Sequence, residues 1–94
     1  MTLYRKMFAT DGTIGTSPAA QTVELTVIGW VADSQTVTAT GVTATNLVIV
    51  APTPADQAAY VAAGIICTTQ GAGTLTFTCT TTPTVALDVQ VVIL

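Results

Sequence analysis

Apolar and polar residues alternate with a period of two along most of this chain, the spacing of a strand with one covered face. Leu75, Phe77 and Cys79 fall on one side, and Thr74, Thr76, Thr78 and Thr80 on the other. Val85, Leu87, Val89, Val91 and Ile93 repeat the pattern against Ala86, Asp88 and Gln90. Val23, Leu25 and Val27 alternate with Thr22, Glu24 and Thr26, and Val37 stands between Thr36 and Thr38. Leu47 to Ala51 is continuously apolar, which predicts a strand covered on both faces. Turn residues separate these runs. Gly71-Ala72-Gly73 predicts a tight hairpin between Ile65–Gln70 and Thr74–Thr80, with Gly73 at a positive-φ position. Ala32-Asp33-Ser34 and Gly41 mark two further breaks, and Thr82-Pro83 interrupts the chain before its last strand. The fold class that follows is mainly β, an antiparallel β-sandwich-like domain of about six short strands.

One short connecting helix, at about residues 54–63, is expected among them. Thr53 is placed to cap it, Pro54 suits the first helical position, and Asp56 adds an acidic capping partner facing the positive end of the dipole. Ala55, Ala58, Ala59, Ala62 and Ala63 favour helix, Gly64 stops it, and Ala59, Ala62 and Ala63 with Tyr60 give a weakly apolar side that can lie against a sheet. Residues 21–94 therefore read as one β-rich domain. Residues 1–20 show no sustained period and read either as a flexible tail or as an N-terminal arm that docks on a partner. In the second reading Leu3, Tyr4, Met7 and Phe8 supply apolar contacts beside Arg5 and Lys6.

Composition narrows the functions. Charged residues are 7% of the 94, against roughly 25% in an average soluble domain. Arg5 and Lys6 are the only cations, so a nucleic-acid partner is not expected. With no histidine and two cysteines, neither a histidine-based metal site nor a four-cysteine cage can form, and histidine acid/base chemistry has no residue to perform it. The most apolar stretch, Val85 to Leu94, is too short to cross a bilayer as a helix and carries Asp88 and Gln90, so no membrane partner is expected. Thr, Val and Ile make up about two-fifths of the chain, which favours strands. An exterior so poor in charge suits a subunit packed in an assembly better than a free monomer.

No constellation for chemistry emerges. Asp11, Glu24, Asp33, Asp56 and Asp88 are scattered over separate elements, with no pair spaced for two-carboxylate catalysis. The chain reads as no enzyme, with no cofactor and no metal. Cys67 and Cys79 flank the predicted hairpin. A three-residue loop makes them same-face diagonal neighbours and a loop shifted by one residue sets them face to face. Diagonal Cβ atoms are too far apart for an unstrained bridge, so two buried thiols are the favoured reading and a disulfide the other. The Thr-x-Thr runs lack the fixed repeat of an ice-binding solenoid. A lone Trp30 in a small β domain most often caps the core, the alternative being a binding platform.

The order of turns and apolar positions carries one likeness. Gly29-Trp30, Gln35-Thr36-Val37-Thr38, Gly41-Val42-Thr43-Ala44, Gly64-Ile65-Ile66-Cys67-Thr68-Thr69-Gln70, Leu75-Thr76-Phe77, Pro83-Thr84 and the closing Val89-Gln90-Val91-Val92-Ile93-Leu94 follow one another. This string resembles a small β-rich domain of bacteriophage tail fibre and head fibre-like virion proteins, over roughly residues 25–94. The resemblance implies a non-enzymatic virion structural protein, a capsid-decorating or head-fibre subunit assembled in the host cytoplasm and displayed at the virion surface. It further implies a homo-oligomer, with a trimer as the expected form, and capsid or tail subunits as neighbours. On that reading Tyr4, Arg5, Lys6 and Phe8 form the attachment arm. Val92 and Leu94, where both sheet faces become apolar, are the subunit contacts. The alternative is a tail-associated adhesin that recognises a host-surface glycan or protein, with Trp30 and Tyr60 as surface anchors.

Overall fold

Six antiparallel strands and one short helix make up residues 20–94, the part of the chain that the computed structural model describes. The strands are β1 (Ala20–Leu25), β2 (Ser34–Thr38), β3 (Val48–Pro52), β4 (Ile66–Gly71), β5 (Thr74–Thr78) and β6 (Leu87–Ile93), with α1 (Gln57–Ala62) between β3 and β4. They form two three-stranded sheets, in the orders β1-β6-β3 and β2-β5-β4. The chain changes sheet at every connection except the β4–β5 hairpin. The inward residues of the central strands, Leu87, Val89 and Val91 on β6 and Leu75 and Phe77 on β5, are fully buried and form the core with Leu25. This mainly β, sandwich-like arrangement agrees with the strand count and inward faces expected from the alternation, except at Val27 and Val85, which lie beyond the end of β1 and before the start of β6 and are exposed.

Both open sides of the sandwich are closed by side-chain amides acting as substitute peptide groups. On one side Gln21 of β1 donates to Thr40 O at 2.7 Å and accepts from Thr40 N at 3.1 Å. Gln35 of β2 returns the contact, donating to Thr26 O and accepting from Thr26 N, both at 3.0 Å. An amide carries one donor group and one acceptor, so it satisfies a lone backbone N–H and C=O together. On the other side Gln70 donates to Thr43 O at 2.8 Å and to Asn46 O at 2.7 Å, fastening β4 to the loop that enters β3.

The hairpin reaches its expected register by a different route. Gly71 pairs with Thr74, leaving a two-residue loop, Ala72 and Gly73, in place of three. Gly73 takes the expected positive φ, 71°. A bulge between Cys67 and Thr69 then absorbs one residue, so that Cys67 faces Phe77 as a three-residue loop would have placed it.

Two further expectations are corrected. β3 is not covered on both faces: it is an edge strand whose outward Ile49 is 51% exposed, because nothing packs outside the β1-β6-β3 sheet among the described residues. Its apolar run ends at Pro52. The bonds Thr53 N to Asp88 O and Leu94 N to Leu47 O, each 3.0 Å, place the hydrogen-bonded pairs of the β3–β6 ladder at odd-numbered β3 residues. Pro52 thus aims its nitrogen at the free edge, where no donor is needed.

The helix is also shorter, starting at Gln57 with Asp56 as its N-cap and no side-chain capping bond. Thr53 instead continues the β3–β6 ladder, and its carbonyl accepts Asp56 N at 3.0 Å, closing a turn with Pro54 in its second position. The Asp56 carboxylate accepts Asp88 N at 2.8 Å, taking the place that Thr53 O would have filled in the ladder. Gly64 ends the helix as expected: at φ 65° its N–H reaches Val61 O and Ile65 N reaches Tyr60 O, the paired bonds of a Schellman motif.

Candidate functional site

Among the described residues the acids do not converge on a reaction centre. Glu24 and Asp88 stand directly opposite on β1 and β6, with the Asp56 carboxylate held on the Asp88 amide. Asp33 accepts from Thr82 Oγ1 at 2.9 Å and lies 3.8 Å from Cys79 Sγ. No group of three or more metal-ligating side chains gathers among the described residues. An apolar groove of about 250 Å³ runs between α1 and the 81–85 loop, lined by Ala59, Ala62, Pro83 and Val85 among others. It offers no ionisable side chain. No helix among the described residues is long and apolar enough to cross a membrane.

Both cysteines are free thiols, Cys79 buried and Cys67 half-buried. Burial pushes the Cys79 thiol up, and the neighbouring Asp33 carboxylate adds to the shift. Burial also raises Cys67, partly offset by its contact with the Thr69 carbonyl. Trp30 and Tyr60 are half-buried and packed against the core. The Trp30 indole N–H is buried without a partner among the described residues, an arrangement that costs on the order of 1–3 kcal/mol. Tyr60 is raised by burial first and by Cys67 second. The two rings sit on different elements, one in the β1–β2 connection and one on α1.

The outward faces of the two sheets differ in chemistry. On β2 and β5 the outward positions are Ser34, Thr36, Thr38, Thr74, Thr76 and Thr78, and the Thr36 and Thr76 hydroxyls share a hydrogen bond of 2.9 Å. The outward face of β1-β6-β3 is graded from end to end. Its first row is Glu24 beside Asp88, the next is Thr22, Gln90 and Ala51, and the third is Ala20, Val92 and Ile49. Beyond these, Leu94 N binds Leu47 O, with Leu47 65% and Leu94 58% exposed. Val92 and Leu94, the two expected contact residues, therefore lie at the aliphatic end of this face. Leu47 and Ile49 join them there, which the sequence did not suggest because their run reads as doubly covered. The Pro that closes that run was the available sign of an edge strand. Tyr4, Arg5, Lys6 and Phe8 lie outside the described residues.

No protein-family model, curated protein or solved structure matches this chain.

Proposed function

We propose that this chain is a non-enzymatic structural subunit of a bacteriophage particle, a capsid-decorating or head-fibre protein that self-associates and is attached through its N-terminal arm. The observation that carries the reading is the graded face of β1-β6-β3. Leu47, Ile49, Val92 and Leu94 present a contiguous aliphatic strip on a domain with almost no charge to keep it apart from its neighbours. Such strips on small domains mark contact surfaces. The outward face of the other sheet, hydroxylated on β2 and β5 with Ile66 of β4 at its margin, supplies the wettable side that a displayed subunit needs. The virion context rests on the fibre-domain resemblance. Trp30 and Tyr60 are held against the core, so no freely exposed ring among the described residues favours an adhesin.

The test is incorporation. Particles assembled with the full chain should contain it at their surface, seen by mass spectrometry of purified virions and by labelling. A chain lacking residues 1–16 should fold and be absent from particles. Particles that take up the shortened chain at the full level would end the arm assignment, and particles that never contain the chain would end the virion reading.

A further inference from the structure

Of the four sheet edges, three are blunted. β1 and β2 are tied by the Gln21 and Gln35 clasps, and β1 carries Glu24. β4 is broken by the bulge between Cys67 and Thr69. Bulges, charges and covering contacts are the usual ways of keeping an edge from pairing with another chain. β3 has only Pro52, at its far end, because the Gln70 clasp reaches the loop before the strand and leaves the strand's own backbone groups free of it. From Val48 to Val50 it is charge-free and regular, and it pairs with β6 alone among the described residues. Because the odd-numbered residues bond to β6, Val48 and Val50 direct their N–H and C=O groups to the free edge. No group among the described residues pairs with them.

We propose that this edge pairs with itself: β3 of two copies run antiparallel about a two-fold axis through Ile49, joining two three-stranded sheets into one of six strands. The proposal rests on the self-association read above and gives it a surface and a symmetry. Val48 of each copy then exchanges both backbone bonds with Val50 of the other, using every N–H that the 48–50 edge offers. Ile49 meets Ile49 across the axis at a pair that exchanges no bonds, where side chains approach most closely. The aliphatic strips of Leu47, Ile49, Val92 and Leu94 become neighbours on one face. The β3 strand itself is uncharged, and Glu24 and Asp88 lie at the other end of the sheet, so two copies approach without ionic repulsion. A second copy is the occupant that meets all of these conditions with no further sequence. A two-fold contact builds even-numbered assemblies, in contrast to the trimer that the resemblance implies.

Two variants of the full chain test it, with solution mass read by light scattering at micromolar concentration. The unaltered chain should show twice the 9.5 kDa of one chain, or a higher even multiple. Ile49→Lys sets two ammonium groups across the axis from a half-exposed position, and the mass should fall by at least half with the β-sheet circular dichroism retained. Ile49→Cys should form an intermolecular disulfide on mild oxidation, because Cα atoms at such a pair lie about 4.5 Å apart, within the bridging range of about 4.4–6.8 Å. The unaltered chain, which carries Cys67 and Cys79, is the control and should stay uncrosslinked. An assembled chain whose mass survives Ile49→Lys and whose Ile49→Cys form gives no crosslink overturns the edge while leaving the subunit reading in place. A one-chain mass for the unaltered protein, with the edge bare or covered by residues 1–19 of its own chain, overturns the edge and the self-association together.

Discussion

The side-chain amide of Gln35 holds Thr26 by both its N–H and its C=O, and Gly29 lies so close that a Cβ there would meet Gln35 Oε1 at 2.5 Å. Gly29 is required for this approach, and the two residues form one device. Gln35→Ala should cost about 2–3 kcal/mol, because it strands a part-buried donor and acceptor. The urea midpoint should fall with an unchanged slope. A Cβ at Gly29 also meets Thr26 Oγ1 at 2.6 Å, so the cost of Gly29→Ala should fall only in part in the Gln35→Ala background, and additive costs would show that the glycine and the clasp are independent. The thiols give a second expectation. Burial raises Cys79, Cys67 and Tyr60 alike, so the folded chain keeps protons that the unfolded chain releases. Each contribution is whole below the unfolded value, 9.0 for the thiols and 10.0 for Tyr60, and is lost as pH rises from there through the raised folded value. Urea midpoints should therefore drop as pH rises above about 9, with Cys79→Ala flattening part of the slope. Phe77, Leu75 and Cys79 were legible in the sequence because burial belongs to a face, and a period of two reports faces. Gln35 was not, because its partner is the backbone of a turn nine residues away and an amide within a run of threonines reads as solvent-facing.

The β1–β2 connection shows how an element can be recognised while its strain goes unseen. Val31 and Ser34 exchange both backbone bonds, at 2.9 and 3.0 Å, around a two-residue turn in which Ala32 and Asp33 have φ of 51° and 62°. Such a turn wants Asn or Gly at both positions. Asp33 is held by Thr82 and by the Cys79 contact, but Ala32 is exposed and carries the left-handed conformation with no compensating bond. Ala32→Asn should therefore stabilise the domain by about 0.5–1 kcal/mol, raising the midpoint of thermal unfolding by several degrees. An unchanged or lower midpoint would mean that the turn relaxes in solution. The helix start was misplaced for a related reason. Thr-Pro-x-Asp suits the first turn of a helix and a free-standing β-turn equally, and what decides between them is Asp88, thirty-two residues from Asp56, whose amide takes the carboxylate. The bulge at Thr68 escaped notice because a two-residue loop with one extra residue and a three-residue loop give the same pairing of Cys67 with Phe77.

At the scale of the molecule, alternation sorted residues into inward and outward sets but could not order the strands, since every inward face looks alike to a neighbour. Placing β6 and β5 at the centres and β3 at an edge turned an expected core strand into an exposed one, and with it revealed the aliphatic end of the outward face. That end makes a whole-molecule prediction about salt. An assembly built on Ile49, Val92 and backbone bonds buries no ionic pair. One built on Arg5 and Lys6 against the acids of a neighbour draws on the only two cations in the chain. Screening separates the two, because raising salt from about 0.05 to about 0.5 M shortens the Debye length from roughly 14 to roughly 4 Å. The concentration at which the oligomer dissociates should therefore change by less than about threefold over that range, while sulfate should tighten it by favouring apolar burial. Thermal stability should rise with chain concentration, as mass action requires of any fold that is stabilised by its partner. A tenfold or greater loosening in sodium chloride would move the contact to the basic N-terminal segment, and the exposed strip would then have to be explained by a different neighbour.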